Sequence, residues 1–557
     1  MFLAGRAWEA AWDGASQRVR ARFRELLLSE VPKVADVDQE RLDVREEVRL
    51  AVMALGLLHD LGHPPFSHAL EGVYERNASS ILDGEAREEL LRRLHQRKGQ
   101  FHEAAGEHLL ETFVLPRLDP MPAALLGAVY RSDPGLPGVC SALHSIVSGE
   151  LDVDRLDYLV RDGQRAGTEF GALDWARLVD SFVMRLHNGA IRFRPSMRAR
   201  SAAETLLVQR VQAYRWIIYH PRVVGTNLAL ASALDLLLNL VEDTTPLAVN
   251  GVDMTLAKVL GPYLANLNFL DPGQASARRL SGAPAGSDTW GVEVAFAGVV
   301  EGESRRHLLC ASVDDSSVVR SLLDARAFAE PLLASATGDL RARLRLLVAY
   351  TDAALLRRKN FTAVWRGEND FGATAGELWT GGGLEKAVDE AFDRAAGERT
   401  AFSREAFNEL STPEKVNVLL ENVTARPAVR DELEDELNGR LVERRTLRGV
   451  WRVVPSRLVT ASDDDDTGAA LFDDTGRLFV LARESALVRA LRQVDGQRPK
   501  VGFYFFWTDD PEPDAADAVS IRSLLLHQLT EVLPGFLARQ LPRTLLVKPA
   551  QPPVENT

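Results

Sequence analysis

Cysteine is scarce in this sequence. The two cysteines among 557 residues, Cys140 and Cys310, lie far apart and outside any Cys-x-x-Cys pattern. This spacing gives no support for a disulfide framework or for a zinc site built from thiolates. Neither a small disulfide-stapled domain nor a thiolate zinc module is therefore indicated.

The sequence also lacks a signal core and an unbroken membrane-type run. Arg6, Glu9 and Asp13 interrupt the N-terminal segment, so it contains no apolar signal core. The longest apolar run, residues 223–241, is interrupted by two asparagines and an aspartate, which is typical of a buried helix rather than of a membrane span. We therefore expect a cytoplasmic protein with no membrane partner.

An excess of positive charge is absent as well. The 66 basic and 79 acidic residues give a net charge of -13, which argues against a non-specific nucleic-acid coat because such coats use clustered Lys and Arg. A local basic pocket for a small phosphorylated substrate remains compatible with this total. The composition, with 46% apolar and 26% charged residues, is that of a soluble globular protein. The length predicts two or three domains.

Histidine is concentrated in one short stretch, residues 57–68 (LLHDLGHPPFSH). Three histidines, His59, His63 and His68, fall within ten residues of one another, and Asp60 follows the first of them. Imidazole nitrogen and carboxylate oxygen together suit a borderline divalent metal such as iron, manganese, zinc or nickel. A single histidine after an apolar helical run is usually a packed core residue. Burying four ionisable groups together without a ligand would be costly, so the stretch predicts metal-centred chemistry.

The local structure of this stretch follows from its prolines. Apolar positions recur at three-to-four spacing before it, which predicts a helix, and the Pro64-Pro65 pair should end the helix that carries His59 and Asp60. Neighbouring side chains on a helix diverge by about 100°, so these two residues can chelate one ion only if other helices supply further ligands. His63 follows His59 by one turn and could face the same cavity. His68 is expected on the loop or at the start of the next helix.

The segment 149–162 (GELDVDRLDYLVRD) is the second strong stretch. Asp154, Tyr158 and Asp162 are spaced i, i+4 and i+8, so a helix would place them on one face. That face could offer a carboxylate to a metal, and a phenol and an acid to a substrate. The alternative is a solvated acidic helix with arginine pairs.

Two further pairs have equally good structural explanations. His102 and Glu103 lie at the predicted start of a helix, where capping and surface charge would account for them. Arg210 and Tyr214 are one turn apart in a long helical region predicted for residues 203–241. A guanidinium beside a ring suits a phosphate next to a base or sugar, but core packing with an extended arginine explains the same residues.

The remainder of the chain is divided by a small-residue segment, 275–288, which predicts a domain boundary. Helices are predicted from residue 321 to about 366, and another helix is predicted with Thr412 as N-cap and Pro413 at its first position. Alternating apolar residues and turn signals predict strands at 291–300, 450–454, 469–481 (a hairpin) and 501–507. A helix is predicted near the end of the sequence, at about 518–541.

With these residues in place, the sequence resembles the HD-domain superfamily, and within it the dNTP triphosphohydrolases that include the bacterial dGTPases. HDLGHPPFSH followed by ALEG at 69–72, and DRLDYLVRD at 154–162, carry the resemblance, which covers roughly the first 240 residues. It implies a mainly α fold, with a helical HD domain at residues 1–274, a helical extension with a short β element at 289–445, and a small α+β region at 446–557. Relatives are commonly oligomeric, so a homo-oligomer is expected on the same basis.

The resemblance also implies functional residues. One divalent metal ion (Mn, Fe, Mg, Zn or Ni) would be bound by His59, Asp60 and Asp154. Catalytic residues implied are His63, His68, His102 and Glu103. Substrate-binding residues implied are Arg155, Tyr158, Asp162 and Arg210, to which Tyr214 is added by its spacing from Arg210. Arg155 stands where the family commonly has Lys, which keeps the charge but changes the shape of the group on the phosphates.

The implied activity is metal-dependent hydrolysis of a deoxynucleoside triphosphate to deoxynucleoside and inorganic triphosphate. Two alternatives remain open. One is a different HD nucleotidase or phosphodiesterase activity. The other is a catalytically impaired nucleotide-binding regulatory protein.

One departure from the family motivates the last alternative. The family has a further metal-binding histidine, in a His-Ser pair on the preceding helix, whereas no histidine precedes His59 in this sequence. Residues 1–7 (MFLAGRA) resemble the part of that helix that follows the pair. The hypothesis is that the sequence starts at an internal Met and lacks the first ligand, leaving three of four. In-frame His-Ser coding sequence upstream would support the hypothesis, and a stop codon there would refute it.

Overall fold

The structure is a computed structural model. It describes residues 1–35, 43–78, 84–96, 101–133, 137–243, 246–249, 252–256, 267, 315–358, 360–394, 403–444, 448–455, 468–496, 498–508 and 515–545. Helices dominate these residues and the strands are short, so the predicted mainly α fold is confirmed. The predicted boundary at 275–288 and the predicted strand at 291–300 lie outside the described residues.

The elements up to residue 255 are mostly helices. The helices are α1 (Phe2–Asp13), α2 (Gln17–Glu30), α3 (Pro32–Ala35), α4 (Val44–Leu58), α5 (His68–Arg76), α6 (Gly84–Gln96), α7 (Phe101–Leu109), α8 (Pro120–Arg131), α9 (Val139–Val147), α10 (Val153–Arg165), α11 (Trp175–Val179), α12 (Arg200–Ala213) and α13 (Pro221–Val241). The strands pair as two antiparallel hairpins, β1 (Phe182–His187) with β2 (Ala190–Pro195) and β3 (Pro246–Val249) with β4 (Val252–Thr255).

From residue 315 onward, helices alternate with the remaining strands. The helices are α14 (Asp315–Leu332), α15 (Gly338–Leu355), α16 (Glu368–Gly376), α17 (Leu384–Arg394), α18 (Arg404–Asn408), α19 (Thr412–Thr424), α20 (Pro427–Arg444), α21 (Leu481–Glu484), α22 (Ala486–Gly496) and α23 (Ala515–Leu545). The strands are β5 (Phe361–Ala363), β6 (Gly449–Pro455), β7 (Ala470–Phe472), β8 (Leu478–Val480) and β9 (Val501–Trp507).

The chain forms two compact units. Unit 1 contains Met1–Arg215, Leu237–Ala325 and Thr460–Arg492, and unit 2 contains Trp216–Leu236, Arg326–Val459 and Gln493–Thr557. Each unit is assembled from separate segments of the chain. The three successive domains at 1–274, 289–445 and 446–557 stay a prediction. The predicted hairpin at 469–481 forms as β7 and β8, but it belongs to unit 1 rather than to a separate C-terminal region.

The core of unit 1 is built on α4 and the helices before it. Val48, Val52 and Leu55 on α4 are fully buried, as their helical spacing predicts. The ring of Trp8 on α1 lies 5.3 Å from that of Phe23, so burying the large aromatic side chains of α1 and α2 joins both helices to this core. Asp43 caps α4 through the amides of its first turn, which fixes where the helix begins.

The β1–β2 hairpin was not predicted. Its turn is Asn188-Gly189, with φ of 50° and 81°, and this pair is the strongest short-range signal for a two-residue hairpin. Phe182 and Met184 alternate with exposed or half-buried positions on β1, and the hairpin contacts α1 and α9. The hairpin therefore closes one side of the unit 1 core.

Unit 2 contains an antiparallel sheet of order β5-β9-β6. The strands predicted at 450–454 and 501–507 are confirmed as β6 and β9, and the predicted closing helix lies within α23. Trp451, Phe503 and Phe505 face the core of this unit together with apolar residues of α23. The capping prediction was wrong by one residue: Ser411 is the N-cap of α19, because its amide and hydroxyl both bond to Glu414.

One helix in the described part of the chain, α13, is long and apolar enough to cross a membrane by length and composition. The most apolar 18-residue segment of this helix has a mean hydropathy of 1.6, and 44% of that segment is buried. Core helices of globular proteins pass the same test, so this single helix is weak evidence for a membrane span.

Candidate active site

The site begins in the turn that follows α4. The sequence predicts His59 and Asp60 within this helix. The helix instead ends at Leu58, and both residues lie just beyond it. His59 still donates its amide to Leu55 in helical fashion, and the next residues close shorter turns. These turns remove the divergence expected of helical neighbours: Asp60 Oδ1 lies 3.4 Å from His59 Nε2 and 3.3 Å from His63 Nε2.

Asp154 reaches the same place from α10. Its Oδ1 lies 3.3 Å from His59 Nε2, and ligand atoms of His59, Asp60 and Asp154 all lie within 4.8 Å of one another. The structure therefore brings together the three residues predicted as metal ligands, from two stretches about a hundred residues apart in sequence.

The chemistry of this trio fits a divalent cation. Both ring nitrogens of His59 are buried, and neither has a hydrogen-bond partner among the described residues. Burial lowers the pKa of His59, but Asp154 and Asp60 outweigh it and the pKa is raised. Two carboxylates close to one imidazole repel each other, and a cation bound by one nitrogen and two oxygens would offset that repulsion. His59, Asp60 and Asp154 are thus the residues that would hold a metal.

A second cluster of histidines lies beside the trio. The rings of His63 and His102 stack at 4.5 Å, and the ring of His68 meets His63 edge-on at 4.5 Å. Glu71 on α5 accepts hydrogen bonds from Nδ1 of His68 at 3.0 Å and from Nδ1 of His102 at 2.5 Å. Ligand atoms of these four residues also lie within 4.8 Å of one another, but here the carboxylate is already satisfied by its histidines. The cluster is therefore suited to holding protons.

The pKa shifts in this cluster agree with that assignment. Burial raises the pKa of Glu71, but the bonds from His102 and His68 lower it well below its ordinary value. Burial lowers the pKa of His102, and Glu71, with a smaller contribution from Glu103, outweighs it and raises the pKa. The ionised Glu71 carboxylate thus favours the protonated form of His102, and the protonated imidazole favours the carboxylate. Glu103, the acid predicted from sequence, is half-buried beside His102, whereas Glu71 makes the bond.

Two glycines let the His63 turn approach the helix that carries His102. A Cβ on Gly62 would lie 2.0 Å from the carbonyl oxygen of His102 and 2.1 Å from the amide nitrogen of Gly106. A Cβ on Gly106 would lie 2.1 Å from the hydroxyl of Tyr130. Backbone therefore packs directly on backbone between the two stretches that supply the stacked histidines.

The loop before His68 holds an unusual backbone conformation. Phe66 and Ser67 have φ of 58° and 49°, a region that non-glycine residues seldom occupy. The amide of Phe66 donates to Asp315 at 2.6 Å. His68 is the first residue of α5. Of the two positions expected from the sequence, the loop and the start of the next helix, the second is the one observed. The constrained loop thus sets the start of the helix that presents His68 and Glu71 to the site.

Arg155 and its neighbours form the first half of a cationic side of the site. Arg155 Nη1 donates to Asp152 at 2.6 Å. Asp152 is 3% exposed, caps α10, and also accepts from the amides of Gly149 and Arg155. Burial lowers the pKa of Arg155, but Asp152 and Glu150 raise it above its ordinary value, so the guanidinium is charged and held.

Arg210 forms the other half. Its Nη1 donates to Glu150 at 2.6 Å, and its guanidinium lies 6.0 Å from the ring centroid of Tyr214. Burial and the neighbouring Tyr214 raise the pKa of Tyr158, so this phenol is neutral. Asp162, two turns after Asp154, is exposed and lies 3.4 Å from Arg161. The structure therefore clusters four of the five predicted substrate residues by charge and ring contacts and leaves Asp162 at the exposed end of α10.

Four residues of the site were not selected from the sequence. Glu71, Asp152 and Glu150 lie within the motifs described above, but their roles follow from contacts in the structure. Glu71 binds His102 and Glu150 binds Arg210, both on separate helices, whereas Asp152 caps its own helix. His144 on α9 is half-buried, and burial together with the nearby His59 lowers its pKa. A lone histidine on an apolar helix carries no signal that distinguishes it from a core residue.

The described residues thus form a mainly helical protein with a histidine-aspartate centre whose donor atoms suit a divalent metal ion. No protein-family model matches the chain. Uncharacterized protein MJ1154 of Methanocaldococcus jannaschii is 30% identical over 167 residues, which cover 30% of this chain and 29% of that protein.

Two further relatives carry informative names. The mouse deoxynucleoside triphosphate triphosphohydrolase SAMHD1 is 28% identical over 156 residues, covering 25% of this chain and 23% of that protein. An HD domain-containing protein of Acanthamoeba polyphaga mimivirus is 26% identical over 164 residues, covering 28% and 31%. The chain spans between 29% and 50% of the length of the first four curated relatives that it matches. These likenesses support an HD-type family of phosphohydrolases.

Proposed function

We propose that this chain is a metal-dependent phosphohydrolase that converts deoxynucleoside triphosphates to deoxynucleoside and inorganic triphosphate. The observation that carries the proposal is the convergence of His59, Asp60 and Asp154, with His59 nitrogens that have no other partner. The partial likeness to a triphosphohydrolase supports the choice of substrate.

The chain's own residues divide the work as follows. A divalent cation held by His59, Asp60 and Asp154 would polarise a phosphoryl oxygen and favour deprotonation of water. Arg155 and Arg210 bind the phosphates and stabilise the charge that develops on them. The oxygen of water bonds to the α-phosphorus, and the bond from that phosphorus to the 5′ oxygen breaks. The 5′ oxygen of the departing deoxynucleoside takes a proton.

His68 is the residue that supplies this proton. It is the most exposed of the three clustered histidines, with 73% of its side chain accessible, and Glu71 accepts from its Nδ1 and so leaves Nε2 to face the substrate. His102 is bound more tightly to the same carboxylate and balances its charge. His63 stacks on His102 and contacts Asp60, which links the proton-holding cluster to the metal ligands.

The test is product identification with all four dNTPs across Mn, Fe, Mg, Zn and Ni. Free inorganic triphosphate together with deoxynucleoside is the expected result. Release of orthophosphate or pyrophosphate instead would assign a different nucleotidase activity, and cleavage of phosphodiesters alone would assign a phosphodiesterase. His59→Ala should abolish hydrolysis of every substrate and lower the bound metal. Retained turnover in this variant would exclude the site.

A further inference from the structure

Arg210 is buried, yet part of its guanidinium has no partner. The residue is 8% exposed, and its Nη1 is bound by Glu150 at 2.6 Å. Its Nε is also buried and has no hydrogen-bond partner among the described residues. A buried donor left without an acceptor is costly, so this position is suited to an anionic oxygen supplied by a ligand. Arg210 is therefore bound by an internal acid at Nη1 and keeps a buried donor at Nε.

Glu150 differs in position from the acid that holds Arg155. Asp152 is almost fully buried and satisfies the first turn of α10, so its role is structural. The Glu150 side chain is 19% exposed and caps no helix, so its described bond is the one to Arg210. Its carboxylate lies where a phosphate bound to Arg210 would meet a like charge.

This arrangement suggests that Glu150 controls ligand specificity. The inference rests on the proposed function only in taking the ligand to be a phosphate. We propose that Glu150 sets the preference of the site for phosphate-chain length, by competing with the distal phosphate for Arg210. The repulsion grows with ligand charge, so Glu150 weakens binding of a triphosphate more than that of a monophosphate.

Glu150 also borders a small cavity. Arg194 and Ser145 line the same cavity, and Arg194 Nη1 lies 3.5 Å from the Ser145 hydroxyl. A Glu150 carboxylate displaced by a phosphate would therefore turn toward a space whose lining includes a guanidinium.

The experiment measures binding of orthophosphate, pyrophosphate and tripolyphosphate to the full chain by calorimetry, without added metal. In Glu150→Gln, tripolyphosphate should bind about tenfold tighter and orthophosphate at most about twofold tighter. The matched control is Asp157→Asn, which removes one exposed carboxylate from the same helix as Asp154 and should change all three affinities by less than about twofold. Weaker or unchanged tripolyphosphate binding in Glu150→Gln would overturn the proposal.

A double-mutant cycle separates competition from a merely structural role. In an Arg210→Gln background, Glu150→Gln should no longer improve tripolyphosphate binding, because the contested cation is gone. A structural role would instead weaken all three ligands equally and lower the melting temperature. If Glu150→Gln does not fold, Glu150→Ala tests the same gain.

Because the readout is binding, its outcome is independent of turnover. A protein that hydrolyses no dNTP but shows the chain-length effect would refute the proposed function and retain this inference. A protein that hydrolyses dNTPs with no chain-length effect would do the reverse. Where turnover is found, Glu150→Gln should lower KM for the triphosphate and leave kcat within about threefold.

Discussion

Both units bring charged groups close together, but they balance them differently. In unit 2, the buried Asp352 accepts from Arg326 at 2.5 Å and from Arg358 at 3.0 Å, so the protein itself satisfies the carboxylate. In unit 1, Asp60 and Asp154 face one imidazole whose nitrogens have no hydrogen-bond partner among the described residues. A cluster paired in this way needs no ligand, whereas the donor atoms of the cluster in unit 1 would be balanced by a bound cation.

Removing one carboxylate from the His59, Asp60 and Asp154 cluster should have the largest effect on activity. We expect Asp154→Asn to reduce hydrolysis at least about thousandfold, because a neutral amide binds a cation poorly. Metal-free Asp154→Asn should unfold at about the same urea concentration as wild type, because loss of the attraction between His59 and Asp154 is offset by relief of the repulsion between Asp154 and Asp60. Turnover, bound metal and urea unfolding test both parts, with Asp157→Asn as the control. A destabilised variant would show that the cluster is structural.

An aspartate-to-asparagine substitution at Asp352 in unit 2 should instead lower stability and leave metal binding unchanged. Asp352→Asn leaves Arg326 and Arg358 without their counter-charge and should destabilise the protein by roughly 3–4 kcal/mol. Bound metal should not change. Asp339→Asn is the control on the same helix, because its side chain is 84% exposed and its contact with Arg343 is 4.0 Å. Urea unfolding followed by fluorescence measures the difference, and equal effects of the two variants would contradict the assignment.

A third contrast uses pH and Lys500 of unit 2. Burial, helped by Arg498, lowers the pKa of Lys500 from 10.5 to about 8 against the opposing effect of Asp495. Between pH 8 and 10.5 the unfolded chain therefore binds more protons at this residue, so its contribution to stability rises with pH, by up to about 3 kcal/mol in total. Below pH 8 both states are protonated and this contribution is flat.

Lys500→Met should remove that rise. Lys386→Met, at a side chain that is 85% exposed, should leave it unchanged. The measurement is the free energy of unfolding at intervals from pH 7 to pH 10.5. A pH profile of Lys500→Met that matches wild type would show that Lys500 titrates normally in the folded protein.

Glu71 is the carboxylate of the site that the protein does satisfy, and its loss should have the smallest effect. We expect Glu71→Gln to lower kcat by about 10–100-fold, in line with groups that orient a functional histidine. The pKa of His102 should fall, so the pH limb of kcat that reports this residue should move to lower pH. Glu75→Gln, one turn later on α5, is the control. An unshifted limb would remove Glu71 from the proton network.

Local pattern predicted much of this molecule. The three-to-four spacing of Val48 and Val52 gave the buried face of α4, and the density of ionisable groups at 59–68 located the site. Local pattern does not fix helix ends in the same way. Ser411 and Thr412 have equal capping chemistry, and only the bond to Glu414 decides between them.

The contacts that define roles were beyond prediction for a physical reason. Glu71 binds His102 and Glu150 binds Arg210, which lie 31 and 60 residues away, and a partner at that distance leaves no periodic trace in sequence. The β1–β2 hairpin is different, since Asn188-Gly189 between alternating apolar residues was a usable signal.

The interleaved order of the two units constrains how the protein is made on the ribosome. The β7–β8 segment supplies Ala470 and Leu471 to the unit 1 core, where both are fully inaccessible. That segment emerges only after the translation of Arg326–Val459, which belongs to the other unit. A nascent chain paused before residue 460 therefore carries an uncovered apolar surface on its first unit, and chaperone engagement or premature aggregation is expected at that stage of synthesis.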